Sequence, residues 1–430
     1  MDKKKRVIII SLDAVGKRDM EFMKTLPNFS AIIENGAFCD NVYSVYPSLT
    51  YPAHSSIVTG KMPNNHRITA NTKLQPSRNK PDWLYKRKYI NGTTIVDEAG
   101  KAGYKIASFL WPVMGGADID WNIPEILITR KWQTQITACI ANGSPLFLMD
   151  VNKRFGSIRH GVSQPDLDDF LMACVEYTID KYDPDMMLIH LTDVDTNRHD
   201  FGTEGPEIEK ALRRHDERIG KIKEWLSKKR PLDDTLFIVL GDHCQVDMHT
   251  IVYLNTFFKE KNLLTVSGDK VTDYKVIAKS CDGSTYLYLN PKYKDDENVI
   301  EQVMDAVNSL KADERLGIEE IYSSEEAAAM GADGNCLAMI EGKPGYYFLN
   351  NTDVLTEPVK DTKNHKMLAT HGCLPSKEGN ITFFAMEGPG VKKQSRIGKM
   401  HLWDEGPTIA KLMGLSLPDA DGRIIEEFME

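Results

Sequence analysis

Asp195 and His199 stand four residues apart, and on a helical turn that spacing puts a carboxylate and an imidazole on one face, where both tips reach one cation. Asp242 and His243 adjoin directly, pointing to different sides of a loop or serving one ion from two directions. Asp13 and His371 bring the set to three Asp and three His. With Thr50 or solvent supplying the remainder, that is enough for two four-coordinate sites. Oxygen and nitrogen donors without a thiolate suit zinc best, with manganese or iron next. A pair of such cations lowers the pKa of a bound hydroxyl and clamps the charge that develops in an in-line displacement at phosphorus.

The elements around these residues explain why they could meet. Leu236-Phe237-Ile238-Val239-Leu240 is an unbroken apolar run that stops at Gly241-Asp242-His243, the mark of a strand buried on both faces. Arg6 to Leu12 runs in the same way into Asp13, and Met186 to Thr192 into Asp193, Val194 and Asp195. A fourth run, Met367 to Thr370, delivers His371. In open parallel sheets ligands collect outside the carboxyl ends of the strands. Carboxylates crowded on one such rim need cations to offset their repulsion. Asp193 rivals Asp195 because alternate strand residues share a face; the fourfold spacing to His199 favours Asp195.

Thr50 lies in Ser48-Leu49-Thr50-Tyr51-Pro52-Ala53-His54, ahead of a segment closing at Thr59-Gly60. Pro52 suits a first helical turn, so Thr50 sits at a strand-to-helix junction beside free backbone N–H groups and a positive helix end, a place for an anionic oxygen or phosphate. No general base adjoins it in sequence, so metal coordination is its route to a nucleophile.

The remaining chain alternates strand and helix. Leu26 to Gly36, Thr94 to Tyr104, Pro165 to Tyr182 and Ile208 to Lys229 carry helical spacing, the last with its charges expected in solvent; Asn41 to Pro47, Lys105 to Leu110 and Ile381 to Met386 read as strands. A helix beginning at Gly406-Pro407 ends at Gly414. Residues 112–164 look like an excursion at the rim. The expected fold is a three-layer α/β/α sandwich, with a mostly parallel central sheet and helices on both faces. Residues 1–246 and 366–430 form its core, and 247–365 an inserted α+β cap subdomain whose ends both start at the site.

Composition narrows the partners. A net charge of -9 argues against a nucleic-acid surface, and no segment reaches the ~20 apolar residues needed to span a bilayer. Met1 to Arg6 followed by Val7 to Leu12 lacks a small-residue cleavage site and reads as a first strand rather than a signal peptide. Seven cysteines without a paired spacing suggest reduced thiols in the cytoplasm.

Taken in order, Asp13, Ser48 to Gly60, Asp195-Thr196-Asn197-Arg198-His199-Asp200-Phe201-Gly202, Gly241-Asp242-His243 and His371-Gly372 resemble the alkaline phosphatase superfamily, and within it the nucleotide pyrophosphatase/phosphodiesterase branch. The resemblance implies two zinc ions, one held by Asp195, His199 and His371 and the other by Asp13, Asp242 and His243, with Thr50 as nucleophile leaning on the second. It implies that Asn71, in His66-Arg67-Ile68-Thr69-Ala70-Asn71, holds a phosphate oxygen and stabilises developing charge. An aromatic at Tyr51 can stack on a nucleobase in that branch; a core or rim tyrosine is the alternative. Cys244 and Arg198 depart from the family's usual glycines without removing a ligand. Cys244 is expected as a packed thiol, and Arg198 in solvent or against a substrate anion.

The expected activity is hydrolysis of phosphodiester or pyrophosphate bonds in a small-molecule phosphoester or nucleotide. Ser48 to Gly60 offers no Arg or Lys for the extra charge of a monoester. Phosphonoacetate-type or phosphomonoester hydrolysis on the same two metals is the alternative, and a non-catalytic metal-binding protein the third reading.

Overall fold

Alternation along Arg6–Leu12 decides the layering. Val7 and Ile9 belong to one buried cluster and Ile8, Ile10 and Leu12 to another, because successive strand residues point to opposite faces. The first cluster takes Ile57 and Val58 from the helix Thr50–Thr59, Ile95 and Val96 from Ile95–Lys101, and Ile409 and Leu412 from Glu405–Leu412. The second takes Phe29 from Pro27–Asn35, Leu171 and Val175 from Asp166–Tyr182, and Ile219 and Ile222 from Pro206–Ser227. Helices therefore cover both faces of one sheet, as a three-layer α/β/α sandwich requires. The computed structural model describes residues 4–78, 80–268, 270–359, 367–377 and 379–430.

Among the described residues the central sheet has nine strands. Its core order is Ala37–Tyr43, Thr382–Glu387, Thr235–Leu240, Arg6–Leu12, Met186–Leu191, Ile106–Phe109, Trp121–Ile123, with Ser395–Arg396 and Met400–His401 flanking Ala37–Tyr43. The five strands from Thr235–Leu240 to Trp121–Ile123 are parallel, whereas Thr382–Glu387 runs antiparallel to both neighbours. Ser11 pairs with His190 on one side and Leu240 on the other. Three strands thus end level, and the residues that follow them enter one rim.

Four expectations change. The second strand is Ala37–Tyr43 rather than Asn41 to Pro47, because Ala37 and Phe38 pair with Met386 and Ala385. Residues 112–164 are not wholly outside the core: Trp121–Ile123 is an edge strand, too short for three residues to show alternation. Ala369–Thr370, before His371, belongs to no central strand and pairs antiparallel with Val246–Asp247. The charges of Pro206–Ser227 are not all in solvent, since Arg218, Asp216 and His215 are buried.

The insertion has its own core. Its antiparallel sheet runs Val276–Cys281, Ser284–Leu289, Ala338–Gly342, Ile318–Ser323, and Val303 and Val307 of the helix Glu297–Ser309 pack on Val276 and Leu287. The Val246–Asp247 ladder with Ala369–Thr370 draws its two ends together; the expected boundary at 365/366 lies outside the described residues. No helix among the described residues is long and apolar enough to cross a membrane.

A candidate two-metal site

Asp13 and Asp242 leave neighbouring strands and turn towards each other. Asp242 Oδ1 accepts from the backbone N–H groups of His243 at 2.8 Å and Ala14 at 3.2 Å, which fixes the carboxylate and leaves Oδ2 without a hydrogen-bond partner. Oδ2 lies 3.2 Å from His243 Nε2, and Asp13 Oδ1, also unpartnered, lies 3.5 Å from the same nitrogen. Asp13, Asp242 and His243 present ligand atoms within 4.8 Å of one another.

Asp195 and His199 occupy the helix Asp193–Phe201, one turn apart. His199 donates from Nδ1 to the Ala369 carbonyl at 2.8 Å. That fixes the tautomer, so the Nε2 lone pair faces Asp195 Oδ2 at 3.4 Å. His371 completes the second group, again within 4.8 Å, and its ring stacks on His243 at 4.2 Å between centroids. The two groups are therefore adjacent.

Buried acceptors facing one another are unfavourable unless something positive lies between them. Burial, with Asp195 and Asp242 nearby, pushes the Asp13 carboxyl well above its ordinary range, and burial raises Asp242. Burial also depresses His371, and His243 adds to it, and burial lowers His243 to about 4, so these two imidazoles are held neutral, the form that binds a cation. Orphaned carboxylate oxygens, neutral imidazoles and a fixed His199 tautomer fit two divalent ions.

Thr50 opens the helix Thr50–Thr59. Its Oγ1 is 3.0 Å from His243 Nε2, at the edge of the first group. Asn71 is tied to it through the backbone: Asn71 Oδ1 accepts from Tyr51 N–H at 3.0 Å, satisfying one of the free donors of a helix start.

Some expected side chains lie elsewhere. The Tyr51 ring is fully buried, edge-on to Trp83 at 5.1 Å, and its hydroxyl has no protein partner. It is core, and no face remains for a nucleobase. Arg198 is neither in solvent nor open to a substrate: fully buried, it binds Asp19, the Ala14 carbonyl and the Thr203 carbonyl, and so clamps the ligand helix to the loop after Asp13. Cys244 is a buried thiol donating to the Ile381 carbonyl at 3.2 Å. Asp193 turns from the site and takes Arg214 and Arg218, each at 2.7 Å.

Sequence reasoning did not single out the groups that hold the ligands. His190 Nε2 is 3.1 Å from Asp13 Oδ2, steering the other oxygen inward; an imidazole inside an apolar strand was its readable signal. His54, one turn after Thr50, binds the Thr50 carbonyl at 2.8 Å and Ser11 Oγ at 2.9 Å. With both ring nitrogens engaged, its proximity to His190 and Asp242 reads as support for the site rather than a third ion position. Gln245 donates to the Asp195 carboxylate and to its carbonyl at 3.1 Å. Asp282 reaches in from the insertion, 3.6 Å from His371 Nδ1, and burial raises Glu125 to about 7 beside this cluster. Neither carried a local sequence signal.

Comparison with known proteins gives the same frame. Human ectonucleotide pyrophosphatase/phosphodiesterase family member 1 is 26% identical over 253 residues, covering 56% of this chain and 24% of the relative. A Caenorhabditis elegans ectonucleotide pyrophosphatase/phosphodiesterase is 21% identical over 410 residues, covering 92% of this chain and 42% of its own length. The chain thus spans less than half of either relative. Murine ectonucleotide pyrophosphatase/phosphodiesterase 5 shares the fold at 18% identity, with a TM-score of 0.68 over 99% of this chain and 100% of that one; an inactive form of it, in complex with AMP, aligns with a TM-score of 0.66. The model of the type I phosphodiesterase / nucleotide pyrophosphatase family matches residues 7–374, taking in all six ligand-type residues, and the chain belongs to that family.

Proposed function

We propose that the chain hydrolyses phosphodiester or pyrophosphate bonds of a small, nucleotide-like substrate, with Thr50 as nucleophile and two zinc ions as cofactors. The observation that carries this reading is Thr50 Oγ1 at 3.0 Å from His243 Nε2, beside the two triads Asp13, Asp242, His243 and Asp195, His199, His371. Zinc, or manganese or iron in its place, would be held by those triads, supplying Lewis acidity to a phosphoryl oxygen and lowering the pKa of the attacking hydroxyl. Thr50 Oγ1 then attacks phosphorus in line, a phosphothreonine ester forms, and the alcohol or phosphate opposite departs. Water hydrolyses the ester and restores the hydroxyl. Asn71, its Oδ1 engaged by Tyr51 N–H, directs Nδ2 donors at a phosphoryl oxygen whose charge grows in the transition state. AMP in the murine neighbour's complex supports a nucleotide as ligand. Seven free cysteines support a reducing compartment, the cytoplasm.

The test compares Thr50→Ala with the parent protein on an aryl phosphodiester, an aryl phosphomonoester and phosphonoacetate, with bound metal counted in parallel. The variant should lose diester turnover and keep close to two metals per chain. Undiminished turnover would contradict the role of Thr50, and parent activity confined to the monoester or the phosphonate would move the reaction to that class.

A further inference from the structure

The loop after Asn71 and the inserted subdomain enclose a cavity of about 590 Å³, with Lys73 and Arg78 on one wall and Lys259 and Lys279 on the other. Its charge runs against the chain's overall balance of -9. Arg78 is neutralised by Asp82 at 3.5 Å. Among the described residues Lys73 donates to a neutral acceptor, the Tyr89 hydroxyl at 2.9 Å, and Lys259 donates to the Thr352 carbonyl. Asp353 is the one carboxylate among the described lining residues.

Lys279 is the informative member. The residue is 7% exposed, and among the described residues its ammonium takes no hydrogen bond or ion pair. Burial lowers its pKa, opposed by Cys281 and Asp333. An ammonium is expensive to bury without a partner, so a cavity built around one is matched to an anion that arrives from outside. Lys279 pairs across the strands with Tyr286, which places both side chains on one face of the cap sheet. The Tyr286 hydroxyl donates to the Thr69 carbonyl at 3.3 Å, two residues before Asn71, and Tyr286 packs in one cluster with Leu49 and Ala70. Lys279 therefore enters the cavity next to the strip of chain that carries Thr50 and Asn71. A volume of this size accommodates a nucleotide-sized group.

We propose that this cavity binds a second phosphate of the substrate, remote from the scissile phosphorus, through Lys279, Lys259 and Lys73, so that the preferred substrates are phosphodiesters or anhydrides bearing a further phosphate. The proposal rests on the phosphodiesterase reading above for the reaction, and on the cavity alone for the anion.

The experiment uses the zinc-loaded full chain and two esters, a nucleoside 5′-(nitrophenyl phosphate) and the same compound carrying a 3′-phosphate. The parent protein should favour the phosphorylated ester in kcat/KM by about tenfold or more, the worth of one charge-assisted contact. Lys279→Gln should abolish that preference and leave the plain ester within about twofold, while Lys279→Arg retains it, because the preference follows charge. Equal losses on both esters, or a preference that survives in Lys279→Gln, would overturn the proposal. A binding arm needs no turnover: a nucleoside 3′,5′-bisphosphate, its 5′-monophosphate and inorganic phosphate are titrated calorimetrically. Selective, Lys279-dependent binding of the bisphosphate is expected, and equal affinity for the two nucleotides would refute the cavity's role. Inorganic phosphate binding as tightly as the bisphosphate would refute a substrate subsite. Bisphosphate selectivity without ester hydrolysis would sustain the anion site and sink the phosphodiesterase reading instead.

Discussion

Asn71 offers a substitution whose effects on activity and on stability should rank in opposite order. Its Oδ1 accepts from Tyr51 N–H at 3.0 Å, one of the donors that the helix Thr50–Thr59 leaves unpaired at its start, while Nδ2 is the donor proposed for a phosphoryl oxygen. Asn71→Asp keeps the acceptor and replaces the donor with a second carboxylate oxygen. Loss of a donor of this kind costs about 2.7–4 kcal/mol in the transition state, or 10²–10³ in kcat. The added negative charge repels the same phosphoryl group, so Asn71→Asp should fall at or beyond the upper end of that range. Asn71→Ala loses the donor without adding charge, and it also strips Tyr51 N–H of its acceptor, a penalty of about 1–3 kcal/mol to the fold. Activity should therefore rank parent, Ala, Asp, and thermal stability parent and Asp together, with Ala below. Turnover of a nitrophenyl phosphodiester at saturating zinc and a melting curve for each protein read the two orders. If Asn71→Asp retains more than a tenth of parental kcat, or if both orders coincide, Asn71 is a structural residue and the reasoning fails.

Three further outcomes follow from the geometry. Asp193→Ala should destabilise the protein by about 3 kcal/mol, the low end for a broken buried pair because Asp168 and Asp169 still serve Arg218; denaturation measures this, and an unchanged zinc affinity would uncouple Asp193 from the ligand helix it anchors. Tyr51→Phe removes a buried hydroxyl with no protein partner, so stability should hold or rise by up to about 1 kcal/mol and nucleotide affinity should not change; a tenfold loss of affinity would restore the base-stacking role. In metal-stripped protein, burial holds Asp13, Asp242 and Glu125 above the ordinary carboxylate range, Glu125 at about 7. The folded chain therefore binds protons that the unfolded chain has lost, and stability falls as pH rises through that window. Buried His66 and His215, lowered to about 3, act oppositely below their unfolded value of about 6.5. Melting temperature without metal should rise from about pH 8 to about pH 6.5, and zinc should flatten the slope; a slope unaffected by zinc would mean that these carboxyls do not face the ions.

The sequence exposed what a period of two and a one-turn spacing can encode. Strands buried on both faces end where an acid interrupts an apolar run, and the level pairing of Ser11 with His190 and Leu240 turns three such interruptions into one rim. His371 shows the limit, because it arrives on a two-residue ladder outside the sheet, and only its residue type, not its strand, was legible. Tyr51 and Arg198 expose a different limit: residue type gives what a side chain can do, while which way it faces depends on neighbours distant in sequence, Trp83 for one and Asp19 for the other. The same limit holds for the charges of Pro206–Ser227, since a surface-helix pattern cannot reveal that Asp193 and Asp168 lie against Arg218. Asp282 and Lys279 come from the insertion, where no periodic signal points at the core. The candidate metal-binding constellation is thus written largely in the strand ends, and the groups that orient it, and that would select among substrates, are supplied by contacts across the chain.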